Sequence, residues 1–271
     1  MSLTNIWKKL RKHLLKKLPG NLYLSLVRTL KFFITQIAVL KLRRSVKNIK
    51  GIDSAIDFAF SFDLLGIHIR PAQLKLEVEA LLRIIEKAKP SVVLEVGTAA
   101  GGTLFLFSRI ADPKAVIISL DLPAGYPVWR IPLYKAFATS KQHIYLVRGD
   151  SHDPATLERV KMILSGKNID FLFIDGDHSY EGVRKDFEIY SQFVRKRGLI
   201  AFHDIIPDYA TRFGIKTRAW SGQTYKLWDE IKQRYRHLEI VSNYDQDGAG
   251  IGVIFWDGET YPYALTRSRM D

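Results

Sequence analysis

A doubly wound α/β sheet of seven strands, mostly parallel and closed by an antiparallel C-terminal pair, is the fold this 271-residue sequence predicts. Three observations predict it. Short apolar runs alternate with helical patterns, no internal repeat or low-complexity segment interrupts the alternation, and several runs end in glycine, carboxylate or histidine. Polar residues gather in that way at the carboxyl ends of parallel strands.

The elements follow in chain order. Leu74, Leu76, Val78, Leu81, Leu82 and Ile85 give residues 72–88 a helical spacing, and Pro90 marks the end of that helix. Strand-like runs then occupy 91–96, 115–121, 143–148, 169–175 and 198–203. Helical patterns at about 103–111, 154–165 and 181–196 lie between most of them, which makes a parallel, Rossmann-like arrangement. A helix over 223–236 precedes two further runs, 237–243 and 250–256, whose link carries Asn243, Asp245, Asp247, Gly248 and Gly250. So short a turn-rich link predicts an antiparallel pair.

Charge divides the chain into two expected parts, a basic helical segment over 1–50 and a main domain over 51–271. The first part holds 13 of the 41 Lys and Arg and no Asp or Glu, so the whole net charge of +13 belongs to it and the remainder is neutral. Leu3, Ile6, Trp7, Leu10, Leu14 and Leu18 recur at helical spacing among lysines, a basic amphipathic pattern. Pro19-Gly20 breaks it, and a second apolar stretch from Leu22 to Leu40, interrupted by Arg28 and Lys31, completes an expected hairpin. With a charge in the middle and no uninterrupted run of 18 apolar residues, a transmembrane helix is not expected, and basic residues through the apolar region with no small-residue cleavage site argue against a cleaved signal peptide. Two readings of the segment stand side by side. It lies on an anionic membrane surface, which places the protein in the cytoplasm and peripherally on the inner face of the membrane, or it packs on the main domain or a second subunit of a homo-oligomer.

The absence of cysteine excludes disulfides, thiolate metal sites and cysteine nucleophiles. After the first strand, Glu95-Val96-Gly97-Thr98-Ala99-Ala100-Gly101-Gly102 forms a turn where backbone can approach a ligand before a helix N-terminus. Ala99 stands where a nicotinamide fingerprint needs glycine, and Thr103 stands where a phosphate loop needs lysine, so both of those motifs fail. Asp121 ends the second strand and Asp150-Ser151 follow the third. Asp175-Gly176-Asp177-His178 close the fourth and His203-Asp204 the fifth, so that Asp175 and Asp204 on neighbouring strands can converge on one cation. The long connection 122–141, with Tyr126, Trp129, Arg130, Tyr134 and Phe137, reads either as a substrate wall or as a packed flap. The loop 205–222, with Tyr209, Arg212, Lys216, Arg218 and Trp220, is placed to close the same cleft.

The acidic-x-Gly-x-x-x-Gly loop and the acids at successive strand ends resemble class I S-adenosylmethionine (SAM) methyltransferases. The Asp at the fourth strand end and the pair at the fifth resemble, more narrowly, the metal-dependent O-methyltransferases of the catechol type and their relatives acting on sugars and antibiotics. The stretches 125–134 and 250–253 resemble a widespread bacterial and archaeal group of them. The resemblance covers about residues 65–256. It implies SAM contacts at Glu95, Gly97, Thr98, Gly101, Gly102, Asp121, Asp150 and Ser151. It also implies a divalent metal, Mg or Mn, on Asp175, His203 and Asp204, and a catalytic group of His178, Asp175 and His203 with His178 as general base. A His-Asp pair stands at 203–204 where the sugar enzymes carry Glu-Asp, and imidazole shifts the preference from magnesium towards manganese, iron or zinc. The expected acceptor is a hydroxyl of a small molecule or glycan. Two other readings are an RNA ribose-modifying methyltransferase or nucleic-acid binder that uses the basic segment, less favoured because the main domain lacks a basic track, and a non-catalytic scaffold on a methyltransferase fold.

Overall fold

One seven-stranded sheet organises the chain. The computed structural model describes residues 19–139 and 141–259; the amphipathic pattern before Pro19, with Trp7, lies outside the described residues. The strands are β3 (Val92–Val96), β4 (Val116–Asp121), β5 (His143–Arg148), β6 (Ile169–Ile174), β7 (Val194–His203), β8 (His237–Ile240) and β9 (Ile251–Phe255), and a hairpin of β1 (Asp63–Leu64) and β2 (Ile67–His68) stands apart. The sheet order is β5-β4-β3-β6-β7-β9-β8; from β5 across to β7 all neighbours are parallel, and β9 runs antiparallel to both β7 and β8. The order reverses direction between β3 and β6, and a crevice opens at such a switch point beyond the carboxyl ends of the strands.

Alternation along each strand sorts side chains to two cores. Val93 faces a core shared with α1 (Gly20–Ser45), α2 (Gly51–Ser61), α3 (Lys75–Ala88) and α4 (Gly102–Ile110). Val92, Leu94 and Val96 face the other core, with α6 (Pro154–Leu164), α7 (Tyr180–Ser191) and α8 (Thr224–Ile231). Every residue of β3 is buried, which explains why its sequence reads as apolar but for Glu95. Local signals set the helix ends. Lys89 turns left-handed ahead of Pro90 to stop α3, and Asp153 and Ser179 cap α6 and α7 by accepting from Ala155 and Gly182 amides.

Besides shorter elements near the C-terminus, where the helix expected over 223–236 stops at Ile231 and the strand expected over 237–243 stops at Ile240, the structure departs from the sequence reading in four places. The helix expected to reach residue 196 ends at Ser191, and β7 begins four residues before the expected 198, because Val194 pairs with Ile169 ahead of a register break. Left-handed Arg197 and the following Gly198 absorb that break. The connection 122–141 is not a bare loop but holds a 3-10 turn, Val128–Arg130, and the short helix α5 (Ile131–Lys135). Helix α2 and the β1–β2 hairpin have no counterpart in the sequence reading. Finally, the stretch after Pro19 is one continuous helix of 26 residues, and Gly20–Asn48 is long and apolar enough to cross a membrane by length and composition. Isolated Arg28 and Lys31 lower its hydropathy less than the rule of an unbroken apolar run assumes. Val27, Ile34, Ala38, Val39 and Leu42 on α1 are nonetheless buried against the domain.

Candidate functional site

The loop between β3 and α4 is held by its own backbone. Gly97 has φ +91°, and a Cβ there would lie 1.9 Å from the Asp175 carbonyl oxygen, so only glycine lets the loop pass over the end of β6. Asp121, at the end of β4, accepts from the amides of Thr98 (3.0 Å) and Ala99 (2.9 Å) through one oxygen and from Leu122 (2.7 Å) through the other. Gly102 lets α4 abut Pro71, whose nitrogen would stand 2.3 Å from an added Cβ.

Glu95 is placed differently from a ligand contact. It is fully buried beneath the loop, where Thr103 donates to one carboxylate oxygen and Ser119 (3.0 Å) to the other. Thr98 in turn meets Ser119. Burial pushes the Glu95 carboxyl up to about 8 against the two hydroxyl bonds, so it is neutral at pH 7 and supports the loop rather than presenting charge. Gly101 likewise faces protein, since a Cβ would meet the Tyr134 ring at 2.5 Å.

The connection 122–141 buttresses this loop from outside. Tyr134 donates to the Ala99 carbonyl (2.7 Å), and Arg130 donates to the carbonyls of Ala100 (3.0 Å) and His68 (3.2 Å). Tyr126 and Tyr134 stack at 5.0 Å, and with Phe137 they are fully buried. The aromatic part of the segment is therefore a packed flap, and of its described residues only Leu122 and Gly125, near its start, border the cavity described below. Sequence alone left both open because aromatic rings beside an arginine suit either.

At the carboxyl ends of β6 and β7, four titratable side chains form one knot. His178 Nε2 lies 3.5 Å from Asp175 Oδ1 and its Nδ1 lies 3.0 Å from Asp204 Oδ2. His203 Nδ1 lies 3.0 Å from Asp175 and 3.3 Å from Asp204, from a deeply buried position. Gln73 donates to the remaining Asp175 oxygen (2.7 Å). Asp204 has φ +60°, a conformation that Asp tolerates better than most residues, and it accepts from the Ala249 amide (3.1 Å). Because Ser179 caps α7, His178 is not spent on capping.

Electrostatics in the knot favour the charged forms of all four groups. Burial opposes the His178 cation, yet the adjacent Asp175 and Asp204 outweigh it and push its pKa up to about 9. His203, pulled down by burial, is pushed up to about 10 by Asp175 first and then Asp204. Burial would raise both carboxyls, but the imidazoles hold Asp175 and Asp204 below their ordinary range. The unperturbed histidine value near 6.5 therefore does not apply to His178. The donors that converge within 4.8 Å of one another are Asp175, His178 and Asp204. Two carboxylates and an imidazole fit a divalent cation such as Mn. His178 thus takes the place in this set that was expected of His203, whose Nδ1 braces the same two carboxylates.

Both ends open into a single cavity of about 900 Å³. Gly97, Thr98, Gly102, Asp121, Asp150 and Ser151 line one end, and Asp175, His178, His203 and Asp204 the other. Of the loop 205–222, Arg218, Ala219 and Trp220 border the cavity, and the exposed Trp220 stacks on His178 at 4.9 Å and 7°. Tyr209 and Arg212 turn away to the carbonyls of Asp245, Tyr244 and Gln246. Sequence reasoning missed Gln73, which has no motif of its own, and His152, which lines the loop end and lies 3.2 Å from the fully buried Asp186. Its place directly after Asp150-Ser151 was the signal available.

Residues 94–205 match a family model described as a methyltransferase domain. An uncharacterized protein of Acanthamoeba polyphaga mimivirus is 33% identical over 128 residues, which make up 47% of this chain and 57% of that protein. The chain thus spans little more than half the length of the curated relative it matches. Among solved structures, the SAM complex of the O-methyltransferase TomG from Streptomyces achromogenes superposes with a TM-score of 0.51 at 12% identity, covering 80% of this chain and 95% of that one. The S-adenosylhomocysteine-bound methyltransferase PaMTH1 of Podospora anserina does so with a TM-score of 0.51 at 18% identity, covering 78% and 91%. At these identities the likeness establishes the fold.

Proposed function

We propose, from the premise that residues 94–205 carry a methyltransferase domain on the class I fold, that this chain is a SAM-dependent enzyme that methylates a hydroxyl oxygen of a small molecule or glycan. The observation that carries this reading is the shared cavity, in which a glycine loop with an acid at the next strand end faces the His-Asp knot across the switch point. Gly97 lets the loop pass close over the end of β6, which brings the loop up to the knot. Asp121, Asp150 and Ser151 stand at the strand ends where a nucleoside would be held, and the Asp121 carboxylate suits a ribose diol.

SAM, when bound, supplies an activated methyl group: the acceptor oxygen forms the new O–C bond as the C–S bond breaks, its electron pair passing to sulfur. What the protein must add is alignment and a place for the hydroxyl proton. His178 is that place, and Asp175 and Asp204 orient its ring. Because the same carboxylates hold a proton on His178 up to about pH 9, the base is free only above that pH or when other positive charge enters the knot. A divalent cation held by Asp175 and Asp204 would supply positive charge that lowers the pKa of the acceptor hydroxyl; held by His178 as well, it would take the lone pair that the base needs, so the two roles of His178 exclude each other. Trp220 and Arg218 at the mouth are the acceptor-facing side chains, and an aromatic face beside a guanidinium suits a sugar ring or a phosphorylated acceptor.

The test is incubation of the full chain with SAM and a panel of hydroxyl compounds and glycans, with and without manganese, followed by mass spectrometry. A methyl ether formed in step with S-adenosylhomocysteine supports the reading. Methylation confined to nitrogen, carbon or RNA ribose would replace it.

A further inference from the structure

We propose that the outer face of α1 seats this protein on an anionic lipid surface, the helix lying along the surface rather than through it. Leu22, Leu26, Phe33, Ile37 and Leu40 are each between 42% and 59% exposed. At about 100° per residue they fall on one stripe, roughly opposite the side that carries Val27, Ile34, Ala38 and Leu42 into the core. The helix is therefore apolar on both sides, which is why its pattern in sequence resembles that of a membrane-crossing helix. Scattered exposed leucines are ordinary on a protein surface, but a stripe running about 27 Å along one helix is a contact surface.

The buried side decides against a helix surrounded by lipid. It joins the same core as Leu133, Tyr134 and Phe137, and Lys31 lies over the Trp129 ring at 4.9 Å. Charge decides what covers the outer side. Arg28, Arg43, Arg44, Lys47 and Lys50 are exposed on or just beyond α1, and residues 1–50 contain no Asp or Glu. Pairing with a second copy through this stripe would set two such segments against each other. Anionic head groups complement them, with the apolar stripe entering the acyl boundary and the cations staying at head-group level. The sequence before Pro19 continues the theme, with Lys8, Lys9, Arg11, Lys12, Lys16 and Lys17 spaced among leucines.

The experiment is flotation of the full chain with vesicles of phosphatidylcholine alone or mixed with phosphatidylglycerol. The wild type is expected to float with the mixed vesicles and to dissociate as salt rises. F33S/I37S/L40S is expected to lose about a hundred-fold in partitioning, since three apolar side chains no longer leave water. R43E/R44E should lose about ten-fold, by removing two cations and adding two anions beside the lipid. Melting temperatures within a few degrees of wild type show that the variants fold, because all five side chains face solvent. Four results would overturn the proposal: no binding of the wild type to anionic vesicles, equal binding by the stripe variant, a wild-type dimer that the stripe variant dissolves, or retention in membranes through alkaline carbonate, which marks a spanning helix.

Discussion

At one end of the cavity the backbone shapes the site, whereas at the other charged side chains do. The β3–α4 loop is set by Gly97 against the Asp175 carbonyl and by three amides converging on Asp121, over a buried Glu95 network that is uncharged at neutral pH. The far end is a knot of two imidazoles and two carboxylates whose protonation states depend on one another. At neutral pH the first end rests on backbone geometry and on the uncharged Glu95 network. The second responds to protons and to any cation that competes with them, and substitutions should separate the two.

The largest effect belongs to Gly97→Ala, because the added methyl collides with backbone that cannot move without displacing β6. It should weaken SAM binding beyond calorimetric detection and lower stability by about 3 kcal/mol. Retained SAM affinity would break the account of the loop end. Next is His178→Gln. Removal of the base is expected to slow methyl transfer by about 10²–10⁴-fold in single-turnover assays while SAM affinity stays within about two-fold of wild type. A parallel loss of affinity would mean that the two ends are not separable.

The third prediction concerns pH. The folded-state pKa values of His178 (about 9) and His203 (about 10) lie above the unfolded value near 6.5. Their contribution to stability is therefore complete below pH 6.5 and is lost as pH rises through 9 to 10. Melting temperature should fall across that window, and transfer without added cation should rise across it. A flat melting profile would contradict the charge assignment of the knot. The smallest effect is expected from Glu95→Gln. The Glu95 carboxyl is raised from an ordinary 4.5 to about 8, so stability linked to its proton is full below 4.5 and declines as pH rises to 8. An amide removes that decline and changes stability at pH 5 by no more than about 1 kcal/mol, which thermal melts at pH 5 and 8 would show.

The same contrast explains what the sequence made legible. Buried parallel strands read as apolar runs, and the glycine loop and the strand-end acids are local patterns, so the sheet, its switch point and the residues from Gly97 to Asp204 could be placed without coordinates. Features made by distant contacts could not. Gln73 reaches Asp175 across 102 positions, Trp220 covers His178 through a loop with no periodicity, and Glu95 proves to be a support because Thr103 and Ser119 close over it. The raised pKa of His178 follows from two carboxylates on two strands, which no linear pattern records. The two-sided apolar character of α1 was equally hidden, since one apolar side masks the other when only sequence is read.

The most direct measurement is calorimetric titration of the full chain with SAM, comparing wild type, Asp121→Ala and His178→Gln at pH 7. The account predicts micromolar binding by wild type, loss of it in Asp121→Ala and near wild-type affinity in His178→Gln. Failure of the wild type to bind, or equal binding by all three proteins, would contradict it.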